Sequence, residues 1–109
     1  MARAELSKAL SAGAPESRAV ELRYKLGLSR EQGGDIDGAL AAYREAGSGT
    51  DKADPFRLSA VARAAALYEQ RGDLDKALTA YRDLMANAQD PELAAAAEER
   101  AALLSSENE

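Results

Sequence analysis

Residues 72–84 read GDLDKALTAYRDL, and residues 34–46 read GDIDGALAAYREA. Ten of the thirteen aligned positions are identical or conservatively exchanged, Ile36 for Leu74 and Glu45 for Asp83 being the exchanges. The likeness extends backwards, since Glu31-Gln32 precedes the first copy and Glu69-Gln70 the second. An internal offset of 38 residues is the sequence mark of stacked repeats, each a unit that cannot bury its apolar face alone. The fold is decided by what this duplicated stretch forms.

Working outward, the composition selects helices. Alanine dominates, supported by Leu, Glu, Arg, Lys and Gln, all strong helix formers. Only Val20, Ile36, Thr50, Val61 and Thr79 are β-branched, too few for a sheet. The fold class is therefore all-α, with 109 residues forming one domain. The prolines Pro15, Pro55 and Pro91 lie 40 and 36 residues apart, close to the period of the duplication. Proline suits the first turn of a helix, where its missing N–H has no intrahelical partner. Asp54-Pro55 and Asp90-Pro91 add an aspartate placed to cap that turn.

Periodicity then divides the chain. A short helix is expected over residues 2–12, with Leu6, Ala9 and Leu10 on one side, and a loop from Ser11 to Ala14. A long helix over 15–32 stops at Gly33-Gly34. A second over 35–46 carries Ile36, Ala39, Leu40, Tyr43 and Ala46 at helical spacing. After a polar turn from Gly47 to Ala53, a third helix over 55–71 carries Val61, Ala64, Ala65 and Tyr68. Gly72 ends it, supplying the positive φ of many helix C-termini. A fourth helix over 74–87 carries Leu74, Ala77, Leu78, Tyr81 and Leu84, and a fifth over 91–104 carries Leu93, Ala97, Ala101 and Leu104. Residues Ser105 to Glu109 read as a fraying polar tail.

Two helices joined by a Gly-Asp turn and then repeated resemble the tetratricopeptide repeat (TPR) family. The residues that carry the resemblance are Tyr68, Gly72, Asp73, Ala77, Tyr81 and Asp90-Pro91 in the second copy. In the first they are Leu26-Gly27, Gly34, Asp35, Ala39, Tyr43 and Ala46. Small residues at Gly27, Ala39, Ala65 and Ala77 let helices approach, and Tyr43 and Tyr81 fill the gap to the next helix. The resemblance implies a right-handed array of stacked antiparallel hairpins, five to six helices in all. Residues 15–52 and 53–90 would be the two repeats. Residues 1–14 would be a remnant of a preceding unit and 91–109 a capping helix with its tail. The period exceeds the family's 34, because Gly47 to Asp54 adds residues, and Arg23 and Arg30 stand where large apolar residues are usual. The half-unit at the start favours a piece of a longer protein. A generic bundle of five or six helices is the alternative fold.

Chemistry is sparse. Histidine and cysteine are absent, which removes the commonest bases, nucleophiles and soft metal ligands. Asp35/Asp37 and Asp73/Asp75 sit where a helix start favours acids. Gly33-Gly34 and Gly47-Ser48-Gly49 follow no strand and match no phosphate loop. No enzyme, cofactor or metal is expected. A net charge of −5 weighs against nucleic acid. No apolar run reaches the ~20 residues of a membrane span, and the N-terminus shows no secretory signal, which favours the cytoplasm.

The resemblance implies a protein-binding module whose first helices line a concave groove for a peptide or helix. In the first unit the groove positions are Glu21, Tyr24, Lys25, Leu28, Glu31 and Gln32. In the second they are Ser59, Ala62, Arg63, Ala66, Glu69 and Gln70. Tyr24 and Leu28 lie off the Leu22/Leu26 stripe and read as apolar anchors. Lys25 and Arg63 hold equivalent places and read as takers of a partner carboxylate. Some TPR domains clamp a C-terminal carboxylate with Lys and Asn residues. Asn87 and Asn108 lie elsewhere, so that specificity is not expected. The alternative is self-association through open repeat ends, giving a homo-oligomer.

Overall fold

A computed structural model describes residues 16–107 as five helices: α1 Glu16–Gln32, α2 Ile36–Gly47, α3 Pro55–Gln70, α4 Leu74–Asn87 and α5 Pro91–Glu107. Among the described residues there is no strand. The helix expected over 2–12, the loop after it and Pro15 lie outside the described residues.

Local signals set the helix ends. Gly34 and Gly72 adopt φ +84° and +78°, the left-handed turn that lets α2 double back on α1 and α4 on α3. Asp54 accepts from the backbone N–H groups of Phe56 at 2.8 Å and Arg57 at 3.4 Å, and Asp90 from that of Glu92 at 3.0 Å. Asp35 likewise accepts from Gly38 N at 2.9 Å. Asp73, at the same place in the second copy, makes no such bond. The reason lies three residues on. A Cβ at Gly38 would sit 2.7 Å from the Asp35 carboxyl carbon, and the equivalent position carries Lys76. The Asp73 carboxylate turns instead to the Lys76 ammonium at 3.6 Å.

Two findings depart from expectation. The polar end does not fray at Ser105: α5 runs on to Glu107. Leu104, only 2% exposed, anchors its last turns in the core, and nothing after it breaks a helix. The connector after α2 is also more than a polar turn. Arg57, 2% exposed, reaches back into it. Its Nε donates to the Gly47 carbonyl at 3.0 Å and its Nη1 to the Lys52 carbonyl at 2.8 Å, while Nη2 pairs with Asp83 on α4. Thr50 is tied to α1, its N–H donating to Glu16 Oε1 at 2.7 Å.

The core has two clusters, and α3 belongs to both. Ala60, Ala64 and Leu67 join Val20 of α1 and Ala39, Leu40, Tyr43 and Ala46 of α2. Leu58, Val61 and Ala65 join Ala77, Leu78, Tyr81 and Leu84 of α4 and Ala97, Ala101 and Leu104 of α5. A helix apolar on two sides must be covered on two sides, so the hairpins stack. The stacking is uneven. Helices α1 and α3 touch, whereas α2 and α4 have no Cα pair within 8 Å. The hairpins fan open on the α2/α4 side.

Tyr43 shows why small residues recur. It is fully buried, and a Cβ at Gly27 would lie 2.5 Å from its Cδ1 and 3.0 Å from its Cζ. The ring lies on bare backbone. In the second copy Ala65 stands at the Gly27 position, and Tyr81 there is 9% exposed.

Gly27→Val should overfill the slot and cost about 3 kcal/mol, with Gly27→Ala losing less because the ring can shift to the Tyr81 setting. Thermal melts followed by circular dichroism would show the graded loss, and equal melting temperatures for all three proteins would contradict it. Arg57→Ala strands two carbonyls and one carboxylate, so urea unfolding should show a loss of about 2–4 kcal/mol. Arg57→Lys should recover part of it, since an ammonium keeps the charge but not the fork.

Candidate functional site

The positions expected to face a partner come together along α1 and α3, and most are already engaged. Tyr24 is half-buried, its ring 6.2 Å from that of Tyr43 and 6.0 Å from that of Phe56, centroid to centroid. Leu28 packs at the edge of the first cluster and Ala62 at the edge of the second. Ser59 is half-buried, while Ala66 and Gln70 are exposed. Phe56, 36% exposed, was missed by sequence reasoning. It lies in the first turn of α3, away from the 38-residue matches.

The two cations are not idle. The Lys25 ammonium donates to Glu21 Oε2 at 2.7 Å, and Arg18 reaches Glu21 Oε1 at 3.0 Å. Lys25 and Arg18 together hold the Glu21 carboxyl below the usual carboxylate range. Arg63 pairs with Glu31 of α1 through two nitrogens, Nε to Oε1 at 3.3 Å and Nη2 to Oε2. The carboxylate expected to come from a ligand is supplied by the neighbouring repeat.

Glu31 is a hub, because Tyr43 of α2 also donates its hydroxyl to Oε1, at 2.7 Å. The arrangement recurs. Tyr81 donates to Glu69 Oε1 at 3.3 Å, and Arg100 of α5 reaches both oxygens of Glu69, with Nε at 3.1 Å from Oε1. In each case one carboxylate ties its own hairpin together through a tyrosine and holds the next element through an arginine. Glu31/Glu69 and Tyr43/Tyr81 are 38 apart, but Arg63/Arg100 are 37 apart, so a fixed-offset comparison hides the third member. The longer Tyr81 bond fits the Ala65 methyl, which holds that ring off the α3 backbone.

A second pair of positions is exchanged between the copies. Arg30 Nη1 donates to the Gly38 carbonyl at 3.1 Å, while its buried Nε meets no partner among the described residues. At the matching places, Lys76 lies over the Tyr68 ring, 5.8 Å from its centroid. The cation has moved from the first helix of the pair to the second. Arg23, the other arginine expected to disturb packing, lies 4.0 Å from Glu45.

Opposite this face, the fan leaves a cavity of about 510 Å³ between α2 and α4. Val61, Ala64 and Tyr68 of α3 form its floor; Tyr43, Arg44, Gly47 and Ser48 line one wall and Asp75, Lys76, Thr79, Ala80 and Asp83 the other. None of the twelve expected partner-binding positions lines it. Among the described residues no group of three or more acidic side chains is placed to hold a metal, and no helix is long and apolar enough to cross a membrane.

Duplicated hairpins whose two core clusters share one helix, with a tyrosine-on-glycine contact and a repeated carboxylate hub, form a helical repeat. The sequence model for the tetratricopeptide repeat matches residues 21–48 and 62–96, more than half of the chain. The chain belongs to the tetratricopeptide repeat family. TPR repeats generally mediate protein–protein interaction. The second TPR match runs through α4 into the start of α5. No curated protein and no solved structure matches the chain.

Burial raises the Tyr43 phenol well above the usual tyrosine range, reinforced by the Glu31 carboxylate it donates to and opposed by Arg63. Burial and then the charge of Glu69 raise Tyr81 in the same way. A raised folded value stabilises the protein fully below the unfolded value of about 10 and is lost as pH climbs past it. Tyr43→Phe should therefore lose about 1 kcal/mol at neutral pH yet decline less steeply than wild type between about pH 9 and 11. Urea unfolding across that range would test this, and parallel declines would remove the hub from the account.

Proposed function

We propose that this chain is a non-enzymatic adaptor that binds an extended or helical segment of a partner protein along the face made by α1 and α3. The observation that supports it is the half-exposed aromatic pair Tyr24 and Phe56, set beside Leu28, Ala62 and Ala66 where the two helices touch. Aromatic side chains offer large contact area at low entropic cost and are frequent interface anchors. Around them the face is balanced in charge: Glu31 with Arg63, Glu21 with Lys25, Glu69 with Arg100, with Ser59 and Gln70 as neutral polar neighbours.

This balance decides how a partner is recognised. Arg63 and Arg100 are 48% and 44% exposed, and pairs of that kind contribute about 1 kcal/mol or less. A partner carboxylate can exchange with the internal one at little net gain. The apolar anchors carry affinity, and the charged pairs reject segments that bring an unmatched charge. The net charge of −5 keeps nucleic acid out of this reading.

Tyr24→Ala/Phe56→Ala should abolish capture of partners that wild type retains in a cross-linking pull-down. Arg63→Glu should weaken it less than tenfold. Both variants must keep the wild-type helical circular dichroism. Identical capture by wild type and the aromatic variant would remove this face from the account.

A further inference from the structure

We propose that the α2/α4 cleft of one copy receives the outer face of α5 of a second copy, so that the chain assembles head to tail. This surface is separate from the α1/α3 face and does not depend on the adaptor reading.

The cleft is shaped for a helix with small side chains. Gly47, Ala64 and Ala80 leave room for close backbone approach, and Tyr43 and Val61 give it an apolar interior. Two cations overlook it. Arg44 is exposed and meets no carboxylate among the described residues. Among the described residues Lys76 has a long contact with Asp73 and its place over Tyr68. Two carboxylates line it as well: Asp83 is paired with Arg57, and Asp75 is engaged too.

The outer face of α5 is the complement. Ala95, Glu99 and Leu103 recur every four residues, flanked by Ala96, Glu98 and Ala102, and all six are exposed. Leu103 is 47% exposed, more than either of the other two large apolar residues so placed. Neither Glu98 nor Glu99 meets a cation among the described residues. One acidic, alanine-rich helix face with a single leucine thus matches a cleft that is narrow-sided at Gly47, Ala64 and Ala80 and carries the cations Arg44 and Lys76 on its rim.

The two surfaces differ and lie on different parts of the molecule, so contact between them is heterologous. Each bound copy presents a fresh cleft or a fresh α5, and growth continues unless the rotation closes a ring. One helix face in one cleft buries little area, which makes the contact weak and reversible. Because it pairs exposed charges, it should weaken as salt rises.

Sedimentation velocity on the full chain, from micromolar to millimolar concentration, tests this. The weight-average mass should at least double across the series at low salt and fall back at high salt. Arg44→Glu/Lys76→Glu and Glu98→Lys/Glu99→Lys alter only exposed side chains, and each alone should remain monomeric. Mixed in equal amounts they should grow again, because each reversed cleft meets a reversed α5 and each unaltered cleft an unaltered one. A wild type that stays monomeric throughout overturns the proposal, and so does growth that survives in either variant. Folded variants whose mixture stays monomeric overturn it as well, by showing that these faces are not partners.

Discussion

The ring of Tyr43 lies on the bare backbone of Gly27, and much else follows from that contact. Close approach of α1 and α2 carries the phenol past the helix surface to where its hydroxyl meets Glu31. Glu31, held in place, presents its remaining acceptor sites to Arg63 of the next hairpin. A steric fact within one hairpin thereby sets the register of its neighbour. The second copy shows the same device with a methyl in the way. Ala65 replaces glycine, the ring is less deeply set, and the hydroxyl-to-carboxylate distance grows from 2.7 to 3.3 Å. The arginine still arrives, because a guanidinium on a long stem tolerates what a phenol cannot.

The same packing gives the molecule two unlike sides. Where α1 and α3 touch, side chains of adjacent units reach each other and pair. The face expected to offer Lys25 and Arg63 to a ligand offers them already compensated. Where α2 and α4 spread, Arg44 has no such neighbour among the described residues and apolar residues of α3 line an open cavity. Unmatched charge and open apolar volume have collected on the side that family resemblance does not point to. The TPR framework fixes how hairpins stack but leaves the chemistry of each side to individual residues.

Sequence reading reached the elements because their causes are local. Gly34 and Gly72 demand a particular backbone turn, Asp54-Pro55 marks a helix start within two residues, and Val61, Ala64, Ala65 and Tyr68 fall at helical spacing on α3. What escaped has causes far apart in the chain. Arg57 reads as an ordinary surface residue until Gly47, Lys52 and Asp83 converge on it. The Glu31–Tyr43–Arg63 hub spans three helices, and its second copy slips by one residue at Arg100. Asp73 looked equivalent to Asp35 because the difference between them is the side chain of Lys76. The end of α5 was set too early because two serines outweighed Leu104, whose burial depends on α3 and α4.

One shared helix governs how the array comes apart. Since α3 walls both apolar clusters, neither hairpin can loosen without stripping cover from the other. The penalty for a half-melted molecule is therefore borne at the seam rather than at the ends. Heat or denaturant should meet the α1–α4 block as a single cooperative body, with α5, whose backbone does not approach α3, as the part best able to peel away first.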